Sequence, residues 1–247
     1  MLDYVGILFF IAIVIIVVII FRILRSILVF KLLFKIISIT FLILLVFFGI
    51  SGYFVINDAN DFKNNFQNST NIIIVKDNDK FLSGTTIKIS SNDYKSMSSE
   101  ELSNLEDKYN KNRLSSGESD YYKIILIDIK AYENIEEDTF EIQGFVINKT
   151  DIIRILESSD AKIELSKIIS EKGKISQSQA YSSITADNVE IKNYLASFST
   201  TYYFNPKNIE HLISELKSNN ILIEKETALF RFMKYVPNFL AKSIVEG

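Results

Sequence analysis

The chain has 247 residues, 27 basic against 30 acidic side chains, a formal net charge of −3, and neither cysteine nor tryptophan. The absence of cysteine excludes disulfides, thiolate metal sites and cysteine nucleophiles, and a mildly acidic balance without a basic block leaves no electrostatic footprint for nucleic acid. Eight glycines and two prolines are too few for a glycine-rich phosphate cradle or a proline-rich stalk, and no cofactor motif or internal repeat accompanies them.

The first 56 residues read as a two-helix transmembrane hairpin. Tyr4 to Phe21 and Ile37 to Ile56 are apolar runs of 18 and 20 residues, each about 27 to 30 Å long as a helix and so matched to the hydrocarbon thickness of a bilayer. Ile11 to Ile20 is apolar all the way round, whereas a helix on a soluble core keeps a polar face. The connector, 22–36, carries Arg22, Arg25, Lys31 and Lys35 as its only charges. Short basic loops stay in the cytoplasm, so these four residues set a topology with both ends of the hairpin outside. Arg22 and Arg25 fall on the opposite side of a helix from Lys31 and Lys35, which predicts a turn near Ser26 and a second helix starting in the interface, its lysines snorkelling to the headgroups. A cleaved signal peptide is the alternative for the first run, but no basic residue precedes it and no Ala-x-Ala pattern follows. Gly49 and Gly52 give the second span a small-residue side for helix approach.

Beyond Ile56 the chain holds 23 basic and 29 acidic residues, and reads as an α+β extracytoplasmic domain, an antiparallel sheet with packed helices. Residues 57–70 form a juxtamembrane stem whose Ala59, Phe62 and Phe66 spacing suits a continuation of the second helix. The domain proper is 71–247. Ile72 to Val75 and Thr85 to Ser90 are predicted to pair around the turn-rich Asp77 to Gly84. Ser98 and Glu101 have capping-box spacing, with Met97 and Leu102 as the staple, for a helix over Met97 to Tyr109. Asn110 to Asp120 reads as a loop. Tyr121 to Ile129 and Thr139 to Ile147 are predicted as a central antiparallel strand pair joined by the acidic Glu133 to Asp138. Thr150 and Asp160 open two further helices, the second running to Lys172, and Ser176 to Ser183 reads as an exposed loop or edge strand. Asp187 with Glu190 caps a helix with Ile191, Tyr194, Leu195 and Phe198 on one stripe, and Ile209, Leu212, Ile213 and Leu216 repeat the spacing after Pro206. Ile221 to Ile223 adds a short strand. Residues 225–245 form an amphipathic C-terminal helix, divided at Pro237, with Leu229, Phe232, Met233, Val236, Leu240 and Ile244 on one side. That side is either core or a face for the outer leaflet or a partner.

The search for chemistry returns isolated residues. His211 lies opposite the apolar stripe of its helix and lacks the companions of a triad or metal site. Ser159 with Lys162, and Ser214 with Lys217, have Ser-x-x-Lys spacing without an oxyanion donor. Glu100 with Glu101, Glu106 with Asp107, and Glu136 to Asp138 are adjacent carboxylates on helix starts and loops, whereas glycosidase chemistry draws its pair from separate segments. Asp77 and Asp79 near Gly84 are a fragment of a calcium loop. Asn68 and Asn148 match the glycosylation acceptor pattern on the expected outer side, and the Tyr121, Tyr122 and Tyr202 to Phe204 clusters are candidate recognition aromatics.

The expectation is therefore a membrane-anchored extracytoplasmic binding or envelope-scaffold protein without catalytic chemistry, cofactor or nucleic acid, its partners being the lipid bilayer and another protein in or at the membrane. Two alternatives differ in kind: an extracytoplasmic hydrolase acting on glycan or peptide, and a cytoplasm-facing accessory subunit of a membrane complex.

Overall fold

Asn71 to Lys76 are buried one after another, and a β-branched run apolar on both sides must lie inside a sheet covered on both faces. The computed structural model describes residues 14–22, 31–91, 93–114, 120–173, 175–235 and 237–238, and there β1 (Asn71–Asp77) is the middle of five strands. It turns at Asn78, whose φ of 52° suits the tight link, into β2 (Lys80–Lys88), and β3 (Asp93–Ser96) extends that antiparallel side to the sheet edge. On its other side β1 pairs in parallel with β4 (Ile124–Asp128), which pairs antiparallel with β7 (Ile221–Glu224), giving the order β3-β2-β1-β4-β7. The sheet is thus mixed where a purely antiparallel one was expected. Thr139 to Ile147 is not in it. Gln143 and Gly144, both at positive φ, fold that stretch into β5 (Thr139–Ile142) and β6 (Phe145–Asn148), a separate hairpin.

The parallel link from β1 to β4 needs a crossover, and α2 (Ser99–Asn110) provides it over one face. There Ile72, Ile74, Ile124 and Leu126 meet Phe81, Met97 and Leu105 in a small core. The predicted capping box and staple are present: Glu101 N donates to Ser98 Oγ at 3.2 Å, while Met97 and Leu102 close over Gly84. A Cβ at that glycine would stand 2.8 Å from both side chains.

The alternate residues Ile73, Val75, Ile125 and Ile127 point into a larger core built by α3 (Ile129–Glu133), α4 (Lys149–Glu157), α5 (Ala161–Lys172), α6 (Gln177–Ser183), α7 (Asn188–Tyr203), α8 (Ile209–Lys217) and α9 (Ala228–Tyr235). Asp160 and Asp187 cap α5 and α7 as expected. Three assignments change. Asp128 ends β4 and caps α3 through Lys130 N; Asn148, not Thr150, caps α4 with Asp151 completing a box; and Ser176 to Ser183 is helical because Ser176 and Gln179 form a box of their own.

The chain reaches this domain along α1 (Lys31–Asn65), a continuous helix of 35 residues. Its segment Ile37–Asn65, of mean hydropathy 2.5, is long and apolar enough to cross a bilayer by length and composition, and only 6% of its apolar window is buried inside the fold. The stretch read as a stem is helical to Asn65, and its Ala59, Phe62 and Phe66 pack with the core. Phe62 stacks on Phe66 with centroids 4.6 Å apart and meets Phe230 edge-on at 5.1 Å, and Phe66 lies 4.8 Å from Phe204. Tyr122 Oη donates to Asp61 Oδ2 at 2.6 Å from the start of β4. Of the first predicted span, 14–21 is helical with mostly exposed apolar side chains, and the helix runs on to Arg22, the first residue of the predicted connector. The rest of that span, the supposed turn and Arg25 lie outside the described residues, so among the described residues one helix, not two, has the length to span. The described part of the helix starts at Lys31, inside the predicted basic connector, and Lys35 is exposed on it.

The C-terminal stripe also meets the core. Leu229 and Met233 are buried, Phe232 packs against the same cluster, and Phe230, outside the predicted stripe, is buried with them. The described helix stops at Tyr235, before Pro237, while Val236, Leu240 and Ile244 lie outside the described residues.

Because Phe66 is 4% exposed and a buried Phe→Ala change costs about 3–5 kcal/mol, Phe66→Ala is expected to lower the urea midpoint of the detergent-solubilised chain markedly. Ile43→Ala, on the exposed apolar part of α1, leaves it nearly unchanged. Equal midpoints for the two variants would mean that the helix end does not belong to the core.

Candidate functional site

A groove of about 900 Å³ runs along α7, within the volume range of ligand sites, about 300–1,000 Å³. The smaller hollow on the opposite face, about 190 Å³ beside Ile72, Lys95 and Glu101, falls below it. The groove follows from how α7 divides its surface. Leu195, Ala196, Ser199 and Tyr203 face the core, while Glu190, Tyr194, Ser197, Phe198 and Thr201 line the groove floor, at helical spacings that keep them on one side.

One wall is β3, whose Tyr94 and Ser96 line the groove. The other is the β5–β6 hairpin with the α6–α7 loop, through Ile142, Gln143, Thr185 and Ala186. That wall is fixed by paired bonds: Gln143 Nε2 donates to Thr185 Oγ1 and Thr185 N donates to Gln143 Oε1, each at 3.1 Å. Tyr194 Oη donates to Glu141 O at 3.1 Å, and Phe198 meets Phe140 edge-on at 4.8 Å. Tyr94 and Tyr194 nevertheless remain about half exposed, at 45% and 52%. Tyr194 is thus held in place yet left open, and aromatic surface of that kind suits binding because its burial releases much water at little entropic cost.

The groove carries little charge. Glu190 is its one charged lining residue, and its Oε2 accepts from Asp187 N at 3.0 Å as part of the helix cap. The residues flagged from sequence lie elsewhere and apart. His211 Nε2 is 3.3 Å from Glu136 Oε1, with the imidazole beside the Tyr202 ring, so it is half-covered rather than free in water. Ser159 and Ser214 are exposed; Lys162 Nζ lies over the Tyr181 ring at 4.7 Å, and Lys217 Nζ donates to Asn238 Oδ1 at 2.6 Å. Asp77 and Asp79 belong to the tight β1–β2 turn and Gly84 is buried in β2, so no calcium loop forms there. Glu136 to Asp138 are exposed side by side, and among the described residues no three His, Asp or Glu side chains converge on a metal position. Asn68 is exposed just after α1, and Asn148 is half-buried at the cap of α4.

Several buried charged and hydroxyl groups are tied to neighbours within the fold, whereas Thr227 Oγ1 is buried without a hydrogen-bond partner among the described residues. At the C-terminal ends of the parallel strands, where open α/β sheets bind ligands, Lys76 Nζ lies 3.3 Å from Asp128 Oδ2 and donates to Asn78 O at 2.9 Å. Glu215 accepts from Asn134 Nδ2 at 2.9 Å and Asn220 Nδ2 at 2.7 Å. Burial pushes the Tyr132 and Tyr203 hydroxyls up, and they donate to Ser199 Oγ and Ala131 O. Lys123, whose ammonium burial pushes down, donates to Lys225 O at 2.9 Å and lies 4.8 Å from the centre of the Tyr122 ring.

Tyr194 and Phe198 lie on the apolar stripe expected of this helix, while Tyr94 stands in a polar stretch with no pattern to mark it. The available signal was the length of that stripe, since Glu190 to Thr201 carries more apolar surface than a single buried face accommodates.

One titration is directly checkable. Burial, then the neighbouring Glu226, raises the Glu224 carboxyl above its ordinary 4.5, with Lys234 opposing. A carboxyl raised by folding costs stability as pH climbs past 4.5 and through the folded value, and costs nothing below both. Glu224→Gln is therefore expected to raise the thermal midpoint at pH 7 and to leave it unchanged near pH 4; a gain of equal size at both would refute the assignment.

Compared with family models, with curated proteins and with solved structures, the chain matches none.

Proposed function

We propose that this chain is a membrane-anchored binding protein: a two-span N-terminal hairpin holds an α+β domain outside the cytoplasm, and the groove along α7 takes an elongated ligand without transforming it. The observation that carries the reading is the open aromatic groove with a single, already engaged carboxylate. A hydrolase would need a second carboxylate about 5–10 Å away, or a desolvated lysine touching a serine, and neither supports itself on the groove residues. The rigid continuation of α1 into the domain core favours a scaffold role, since an anchored site keeps its orientation and its effective concentration toward other membrane components. Arg22, Arg25, Lys31 and Lys35 set the topology in this reading, which separates it from a cytoplasm-facing accessory subunit.

Two measurements test it. Ser178→Cys, at an exposed position of α6, is expected to react with a membrane-impermeant thiol reagent in intact cells; labelling only after lysis overturns the topology. A photo-crosslinking amino acid at Tyr194 is expected to give discrete adducts that disappear when Ser197→Arg fills the groove. The same group at Glu100, on the opposite face of the sheet, gives none. Adducts insensitive to Ser197→Arg would refute binding in the groove.

A further inference from the structure

We infer that the groove takes an extended polypeptide segment, added as a strand to the free edge of β3. This rests on the binding reading above and names the class of ligand. The starting point is the parity of the β2–β3 ladder. Met97 N donates to Gly84 O at 2.9 Å, in line with a register that sets Thr85 opposite Ser96, Thr86 opposite Lys95 and Ile87 opposite Tyr94. Antiparallel partners alternate between hydrogen-bonded and non-hydrogen-bonded pairs. Counting from Met97, Lys95 and Asp93 turn their N–H and C=O groups toward β2, and Tyr94 and Ser96 turn theirs away from it. The Thr85 and Thr86 hydroxyls donate to Lys95 O at 3.2 and 3.4 Å, as an inward carbonyl requires.

Tyr94 and Ser96 are also the two β3 residues that line the groove. β3 is the sheet edge, so among the described residues no strand lies beside those outward groups. An open edge of N–H and C=O groups is satisfied most completely by another extended backbone. The length agrees. From Glu190 to Thr201 the floor runs about 16 Å at the helical rise, which an extended chain covers in about five residues. Alternate side chains of such a segment face Tyr94, Tyr194 and Phe198, and the one charge in the lining, Glu190, is tied to the helix cap, so the groove selects chiefly apolar or aromatic residues at every second position. The hairpin wall, latched to the α6–α7 loop, stands opposite β3 and favours one added strand over the sheet of a second copy.

The test uses the full chain in lipid nanodiscs, panned against a displayed library of linear nonapeptides, with the tightest selected peptide as probe. Amide exchange at Tyr94 and Ser96, fast in the free protein, is expected to slow at least tenfold on binding, while Lys95, already bonded to β2, changes little. N-methylation of alternate peptide amides is expected to weaken binding about tenfold. Ser96→Pro does the same, because it removes an outward N–H and spares the inward ladder, the placement edge strands tolerate. A peptide that loses affinity in Tyr194→Ala but ignores N-methylation, ignores Ser96→Pro and leaves the exchange at Tyr94 and Ser96 unchanged overturns strand addition while leaving the groove as a binding site. A peptide indifferent to Tyr194→Ala as well, or a library that yields no binder, overturns both readings. Protection of Tyr94 and Ser96 that grows with protein concentration and without peptide assigns the edge to a second copy and overturns the proposal.

Discussion

The parallel pairing of β1 with β4 is the constraint from which the rest of the architecture follows. Ile72 to Val75 and Ile124 to Ile127 are buried on both faces, and each such side chain contributes about 2 kcal/mol by leaving water. Both faces must therefore be covered. A parallel pair also forbids a tight turn between its strands, and the long connection that results includes α2, which supplies the cover for one face. The helices after β4 then have the other face to fill, and they build the larger core. The Lys76–Asp128 pair at the ends of these strands adds direction rather than stability. The cost of desolvating two buried charges roughly cancels their attraction, but Asp128 also caps α3 and so sets where the chain leaves the sheet.

The second organising contact joins the long apolar helix to that core. Phe62 and Phe66 at the end of α1 meet Phe204 from the end of α7 and Phe230 from α9, so the helix enters the domain as one of its own elements. A helix continuous with the core transmits orientation, whereas a flexible linker would transmit only proximity. Of the two readings of the C-terminal stripe, core or a face for a partner or lipid surface, the described part of α9 takes the first, through Leu229, Phe230 and Met233.

The interior and the groove differ in how their polar groups are engaged. The buried Glu215, Tyr132 and Tyr203 are bonded within the fold and hold it together. The groove is different: it combines half-exposed tyrosines, a latched wall and the outward edge of β3, and its one carboxylate serves a helix cap. It is this combination on which the proposed binding role rests.

Local chemistry was legible in the sequence. Ser98 with Glu101 and Asp187 with Glu190 announced two helix starts, because capping depends on residues three apart. The Ile72 to Val75 run announced a buried strand, and the apolar length of Ile37 to Ile56 announced a helix long enough to span a bilayer, because both depend on composition alone. What the sequence did not reveal is set by contacts between distant segments. That β1 lies parallel to β4, that Thr139 to Ile147 breaks into its own hairpin at Gln143 and Gly144, and that Tyr94 comes beside Tyr194 and Phe198 all depend on tertiary packing. One chain carries many segments of similar hydrophobic pattern, and only their simultaneous packing at fixed volume decides which of them meet.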